Sequence, residues 1–456
     1  KETSQNAFSI LKDQQSLSKM GKVLITSISE AARPVTVFGW SRTFGVGMYN
    51  YLVNNRTAWK EALTEMNWLA EAMDVSMNKN TGNRYNYNSG VIAPSSSVGG
   101  KALDKVARGL HQAQSPFYWF TGLTSWTRWW KDFSGVVSQH RFIEDSIKLS
   151  KGQGTQKELK KISYVLATYG IDKKTADVIA RMPWQKKGNL YMANVEAWGR
   201  ESGGDVAIKK IRHAIYDDVN RTVVTPTIAD RPNMMDGALT FTGDKTVAAL
   251  DTKLGRALTG AEKTDFGIKV NSSWATLAFQ FLGWGFAANN KIVISGLQGR
   301  DANALGGTTL AITLGILVGY LKNPYGFDKM IDEGAIDELV LDGVDRSGIL
   351  GLWSEVDALA DGLTRATIGF PISSRGLFGL DAKYGAEGSI GEFASDVGGP
   401  VSATVFNMIE ALNGTGKNSA DQVMARNMPL YNMLWINSLT KPLYDTAFEK
   451  TFERFD

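Results

Sequence analysis

The sequence contains no cysteine. A disulfide scaffold, a thiolate metal site and a cysteine nucleophile are therefore excluded. That absence suits a protein that passes through both reducing and oxidising compartments, and it equally suits chance in a fragment. Histidine is scarce: His111, His140 and His213 lie far apart, so a histidine-rich metal site is not expected. Glycine-rich pieces such as "SGLQGR" and "NALGGT" lack the Lys-Ser/Thr that would hold a phosphate and a magnesium ion. No HExxH and no G-x-S-x-G is present. "LDGVDRSG" (341–348) sets Asp342 and Asp345 beside Gly and Arg, but a calcium loop needs more acidic ligands and a closing Glu. An Asp-Arg turn that caps a helix is the plainer expectation. No enzyme, no cofactor and no metal is expected within these residues.

The chain starts at Lys1 and is expected to be a piece of something longer; its opening "KETSQNAFSILKDQQ" has no apolar core of the kind a signal peptide needs. A length of 456 residues allows about two to four ordinary domains. The net charge of +4 is small and does not by itself argue for nucleic acid. Its distribution is more informative. Arg141 to Arg221 carries 16 Lys/Arg against 10 Asp/Glu, whereas Asp328 to Glu410 carries 15 Asp/Glu against 5 Lys/Arg. Two oppositely charged surfaces follow, either as plain solvated faces or as contacts between copies or with an anionic partner. Lys160, Lys161, Lys173, Lys174, Lys186 and Lys187 are the candidate contacts to DNA or anionic lipid.

β signals are few, and the hydrophobic spacing is helical through most of the chain. The expected fold is all-α, an extended multi-helix assembly with few or no strands. Residues 17–32 read as a helix ending before Pro34. Residues 57–77 read as a second, with Trp59, Leu63, Met66, Leu69, Ala70 and Met73 on one stripe. Residues 78–90 follow as a polar Asn/Gly loop. In 157–182, a helix runs to about Tyr169, Gly170 takes a left-handed cap, Ile171 folds back, and Asp172 caps the next helix. This is a tight helix–turn–helix, more plausibly a plain helix pair than a DNA-reading one. Residues 222–237, with Pro226 and Pro232, read as an extended crossing.

Aromatic residues concentrate in "SPFYWFTGLTSWTRWWKDF" (115–133), where Trp119, Trp126, Trp129 and Trp130 are interleaved with Arg128 and Lys131. A crowded core, an interface with lipid or protein, and single-stranded nucleic acid all accept such a mixture. Further on, residues 302–321 carry no charge. As a helix they span roughly 30 Å, the thickness of a bilayer core. Gly307, Ala311, Gly315 and Gly319 recur every fourth residue, a stripe that lets two helix backbones approach closely. The preceding run, 274–297, contains Gln280, Asn289, Asn290 and Lys291, and a lysine at mid-membrane costs about 3 kcal/mol on insertion scales. Residues 272–322 therefore read as an apolar helical hairpin, buried in protein in one state and compatible with lipid in another. Three regions are expected: an N-terminal helical segment (1–114), a central helical region with the hairpin (115–325), and an acidic, Gly-rich helical region (326–456).

In order, "FTGLTSWTRWWKDF", "LATYGIDKKTADVIARM", "TPTIADRPNMMDGAL", "WATLAFQFLGWGFAANNKIVISGLQGRDANALGG" and "DGVDRSGILG" resemble the C-terminal region of the large internal virion proteins of short-tailed phages. These are the ejection proteins of the podophage inner core, and the ends of some virion RNA polymerase polypeptides are similar. The resemblance runs from about residue 115 to the end and covers 1–114 least. It implies a structural protein in the virion interior, arranged in several copies as a ring around the portal axis with other core proteins and genomic DNA. It further implies ejection into the host, where the protein helps form a conduit across the periplasm and inner membrane. The family's transglycosylase activity lies in N-terminal domains, and no residue here carries that chemistry. The alternatives are a membrane-active pore-forming effector, or the C-terminal part of a virion enzyme (lytic transglycosylase or RNA polymerase) whose catalytic domain lies outside this chain.

Overall fold

The computed structural model describes residues 23–54, 56–69, 98–223, 302–322, 324–332 and 334–347, with isolated positions near the N-terminus, at 240–241, 262–264, 267–269 and at 357. The described chain is predominantly helical, as the hydrophobic spacing predicts. It opens with α1 (Val23–Thr26), a 3-10 stretch Ser27–Ala32 and α2 (Arg33–Phe38). Here the expected stop before Pro34 is not observed. Pro34 sits in the first turn of α2, where its missing N–H has no partner to lose, and Gly39 at φ 83° ends the helix instead. Two π-helical turns (Ser41–Met48, Asn50–Asn54) lead to α3 (Arg56–Leu69). Residues 70–90 of the second expected helix and its loop lie outside the described residues, as do the crossing at 224–237 and the whole of 274–297.

Helix α4 (Val98–Phe120) runs unbroken through residue 115, so the boundary expected there falls inside a helix. A turn at Gly122, φ 78°, starts α5 (Leu123–Lys151). The aromatic stretch is thereby split between two helices. α5 is the axis of the core, and buried positions occur around most of its circumference between Phe133 and Ile147. Against it pack α3, α6 (Gln156–Thr168), α7 (Lys173–Arg181), the hairpin β1 (Trp184–Lys187) and β2 (Leu190–Ala193), and α9 (Gly204–Thr222), with the short α8 (Val195–Arg200) between β2 and α9. The Met66 side chain of α3 packs onto the α5 backbone: a Cβ added to Gly135 would lie 2.9 Å from its sulfur.

The α6–α7 turn follows its sequence. Ile171 N–H donates to Leu166 O and Gly170 N–H to Ala167 O, with Gly170 at φ 75° and Ile171 buried. The Asp172 carboxylate then accepts from Thr175 N–H at 2.8 Å. Ahead of α6, Thr155 and Glu158 form a reciprocal capping box. The β1–β2 hairpin was not anticipated. Lys187 pairs with Leu190 across a two-residue Gly188–Asn189 loop, with Gly188 at φ 62°. Three very short strands, β3 (Thr240–Phe241), β4 (Glu262–Thr264) and β5 (Gly267–Lys269), form a second small antiparallel sheet in the order β3-β5-β4. The described chain ends with α10 (Ala302–Lys322), α11 (Pro324–Asp332) and α12 (Ile336–Ser347). α10 packs on α12 on one side and on α2 with its 3-10 neighbour on the other, so the three regions expected from sequence share contacts. "LDGVDR" lies inside α12 and not in a capping turn. Its Asp342 pairs with Arg346 one helical turn on, at 2.6 Å.

Candidate functional site

Helix α10 contains the charge-free segment and closes it with Lys322. Its small residues face protein. A Cβ on Gly307 would meet Thr36 of α2, with Oγ1 at 2.1 Å and N at 2.7 Å. Ala311 is buried. A Cβ on Gly315 would lie 2.1 Å from the carbonyl oxygen of Gly343 in α12, and one on Gly319 would lie 2.7 Å from Asp342 Oδ2. The contact is reciprocal, since a Cβ on Gly343 would lie 2.4 Å from Ile316 Cγ1. The four small residues therefore share one face, and its described partners are α2 and α12.

The opposite face is open. Leu305, Thr309, Thr313, Leu317 and Leu321 recur every fourth residue and all are exposed, Leu305 at 70% and Leu317 at 42%. The two threonine hydroxyls do not point to solvent partners. Thr309 Oγ1 donates to Leu305 O at 3.1 Å and Thr313 Oγ1 to Thr309 O at 3.0 Å. Their polarity is closed within the helix and their methyl groups join an apolar stripe. Only 28% of the most apolar 18-residue stretch of this helix is buried. At the N-terminal end Trp40 reaches Gly306, stacks on Phe44 with ring centroids 5.3 Å apart, and is itself 45% exposed. At the C-terminal end Tyr320 packs edge-on against Phe327 and is partly exposed.

The four tryptophans separate. Trp126, Trp129 and Trp130 join the core: Trp129 and Trp130 meet at 4.6 Å, and Trp129 also packs against Tyr51 and Phe133. Trp119 remains on the surface, 66% exposed, edge-on to Phe120. Lys131 is buried, whereas Arg128 stays outside near Asp132. The six lysines are spread over three elements. Lys160 and Lys161 are exposed on α6, and Lys173 and Lys174 on α7. Lys186 lies over the Tyr191 ring at 4.8 Å. Lys187 pairs with Glu61.

A buried ionic network in the core had no signature in sequence. Asp218 on α9, fully buried, accepts from Ser138 Oγ (2.8 Å), Arg141 Nη1 (3.2 Å) and Tyr169 OH (2.5 Å). Burial opposes the charge of Arg141, but Asp218, Tyr169 and Asp145 outweigh it and raise its pKa. Burial and the Asp218 charge raise that of Tyr169. Beside them Arg42 bridges Glu144 (2.8 Å) and Asp145 (2.5 Å). Burial opposes the Glu144 charge, yet Arg42, Lys148 and His140 together lower its pKa to about 2. His140 is buried and its pKa is lowered to about 4, chiefly by desolvation. Its Nδ1 accepts Tyr191 N–H at 3.1 Å, which ties β2 to α5. Every member of this set is engaged with another, so it ties α5 to α6, α9, β2 and the turn at Arg42. Among the described residues, no group of three or more potential metal ligands comes together.

Comparison with protein-family models, with curated proteins and with solved structures matches none of them to this chain.

Proposed function

We propose that the chain is part of an internal virion protein of a short-tailed phage: a structural component of the inner core above the portal that is ejected to help build the genome conduit across the host envelope. The observation that carries this reading is the double character of α10. One face is fixed to the protein through backbone-to-backbone contacts at Gly307 and Gly315, and the other is an uncharged stripe with its hydroxyls internally bonded. An exposed apolar stripe of this kind marks a contact with another protein or with a membrane, and a protein packed against its copies in a capsid and later brought to a membrane has use for both. The order of the five sequence motifs supports the same reading, as does the lack of any disulfide to undo during passage. The helical, largely local architecture of α6–α7 suits rapid refolding after passage through a narrow tail.

The partners on this reading are other copies of the chain, other core proteins, the portal region and genomic DNA in the particle, and the host inner membrane after ejection. The basic faces of α6 and α7 are the candidate contacts to DNA. The position of this chain in an intact particle tests the proposal. Density or cross-links arranged around the portal axis are expected; a location on the outer shell, or absence from the particle, overturns it. The second reading, a pore-forming effector, is favoured by the same exposed stripe. It separates cleanly, because it requires dye leakage from vesicles by this chain alone.

A further inference from the structure

We propose that α10 meets a bilayer lying along its surface, as an interfacial helix, and not as the transmembrane span its length suggests; this rests on the reading of α10 just given. The helix is held by protein along its length, from Thr36 against Gly307 to Asp342 against Gly319. A spanning orientation with that packing intact would carry α12 into the hydrocarbon beside it. α12 brings Asp342 and Arg346, directly at the contact, together with Glu338 on its exposed side. Each such charge at mid-bilayer is disfavoured, and the Asp342–Arg346 pair is only about one-third exposed, already committed to the helix seam.

Lying flat removes the conflict. The stripe from Leu305 to Leu321 faces lipid along roughly 24 Å of helix, while α2 and α12 stay on the water side. The protein body then serves as the polar face that a free interfacial helix supplies with its own side chains. Trp40 and Phe44 beside the N-terminal end and Tyr320 near the C-terminal end place aromatic rings where headgroups meet acyl chains. The stripe carries no charge, so its partner is the apolar boundary of a bilayer and not an anionic headgroup. Binding to zwitterionic phosphatidylcholine vesicles that changes little with salt is expected. The lysines of α6 and α7 would instead give binding that needs anionic lipid and falls with salt.

The absence of native cysteine permits a direct test on the full chain. Single cysteines at Leu305, Thr313 and Leu321, all exposed and so tolerated by the fold, are labelled with an environment-sensitive dye. Their depths are then read by quenching with lipids brominated near the headgroup or near the chain end. The proposal expects all three shallow and at equal depth. A depth maximum at Thr313 with shallow ends indicates a span and overturns it, as does no blue shift at any of the three. Leu317→Glu is expected to weaken flotation with phosphatidylcholine vesicles about tenfold or more with circular dichroism unchanged. Unchanged flotation, or binding that appears only with anionic vesicles and is lost in salt, overturns the proposal. Failure here leaves the portal-axis test untouched, and failure of that test leaves these depths untouched, so the two are read separately.

Discussion

Replacing Gly315 with alanine discriminates between a packed and an open face by the sign of its effect. A glycine in the middle of an exposed helix is about 1 kcal/mol worse than alanine, so Gly→Ala on an open face stabilises by about that amount. At Gly315 the new methyl would fall 2.1 Å from the Gly343 carbonyl oxygen and 3.0 Å from Ser347 N. Ordinary contact is about 3.5 Å or more, so α10 and α12 must separate by roughly 1 Å along the seam. Forcing an extra methyl into packed backbone costs about 1–3 kcal/mol. After the propensity gain the net is about 0–2 kcal/mol of destabilisation, concentrated in α12. Gly109 in α4 is the internal control, because a Cβ there meets nothing within 4 Å. Gly109→Ala is expected to raise stability and Gly315→Ala to lower amide protection in α12, read by hydrogen exchange alongside denaturant melts. If both variants stabilise equally, the close α10–α12 packing is refuted.

Asp218→Ala strands the Arg141 guanidinium, Tyr169 OH and Ser138 Oγ in the core; a loss of about 3–5 kcal/mol in chemical denaturation is expected, and a loss below about 1 kcal/mol would contradict the network. The folded pKa of His140 is depressed to about 4 from 6.5. Its contribution is therefore complete above pH 6.5 and is lost as pH falls toward 4, by at most about 3 kcal/mol. His140→Gln is expected to flatten the stability–pH curve in that window. Glu144, depressed from 4.5 to about 2, adds a further loss below pH 4.5 that this variant retains. Asp172→Ala removes the α7 cap and is expected to lower the thermal midpoint; no change in thermal midpoint would show the cap to be dispensable.

Elements whose determinants are adjacent in sequence were legible. Gly170, Ile171 and Asp172 specify the α6–α7 turn within three residues, because the bonds that close it run between near neighbours. The charge-free length and four-residue small stripe of α10 were also legible, since helical spacing alone places Gly307, Ala311, Gly315 and Gly319 on one face. What that face touches was not, because Thr36 and Gly343 approach it from opposite sides of the sequence. The same holds for Arg141 and Asp218, which are 77 residues apart, and for Trp40 beside Gly306. The β1–β2 hairpin escaped notice because its strands are four residues long and its lysine-rich first strand, Trp184–Lys187, shows little alternation. The aromatic stretch misled through proximity: Gly122 turns the chain between Phe120 and Leu123, sending Trp119 outward and Trp126, Trp129 and Trp130 inward.

The most direct test of the account follows the chain itself through infection. Particles carrying a labelled copy are adsorbed to cells, the genome is delivered, and empty particles are separated from the host envelope. The account predicts that the chain leaves the particle and fractionates with the inner membrane; a chain that stays with the emptied particle would contradict it.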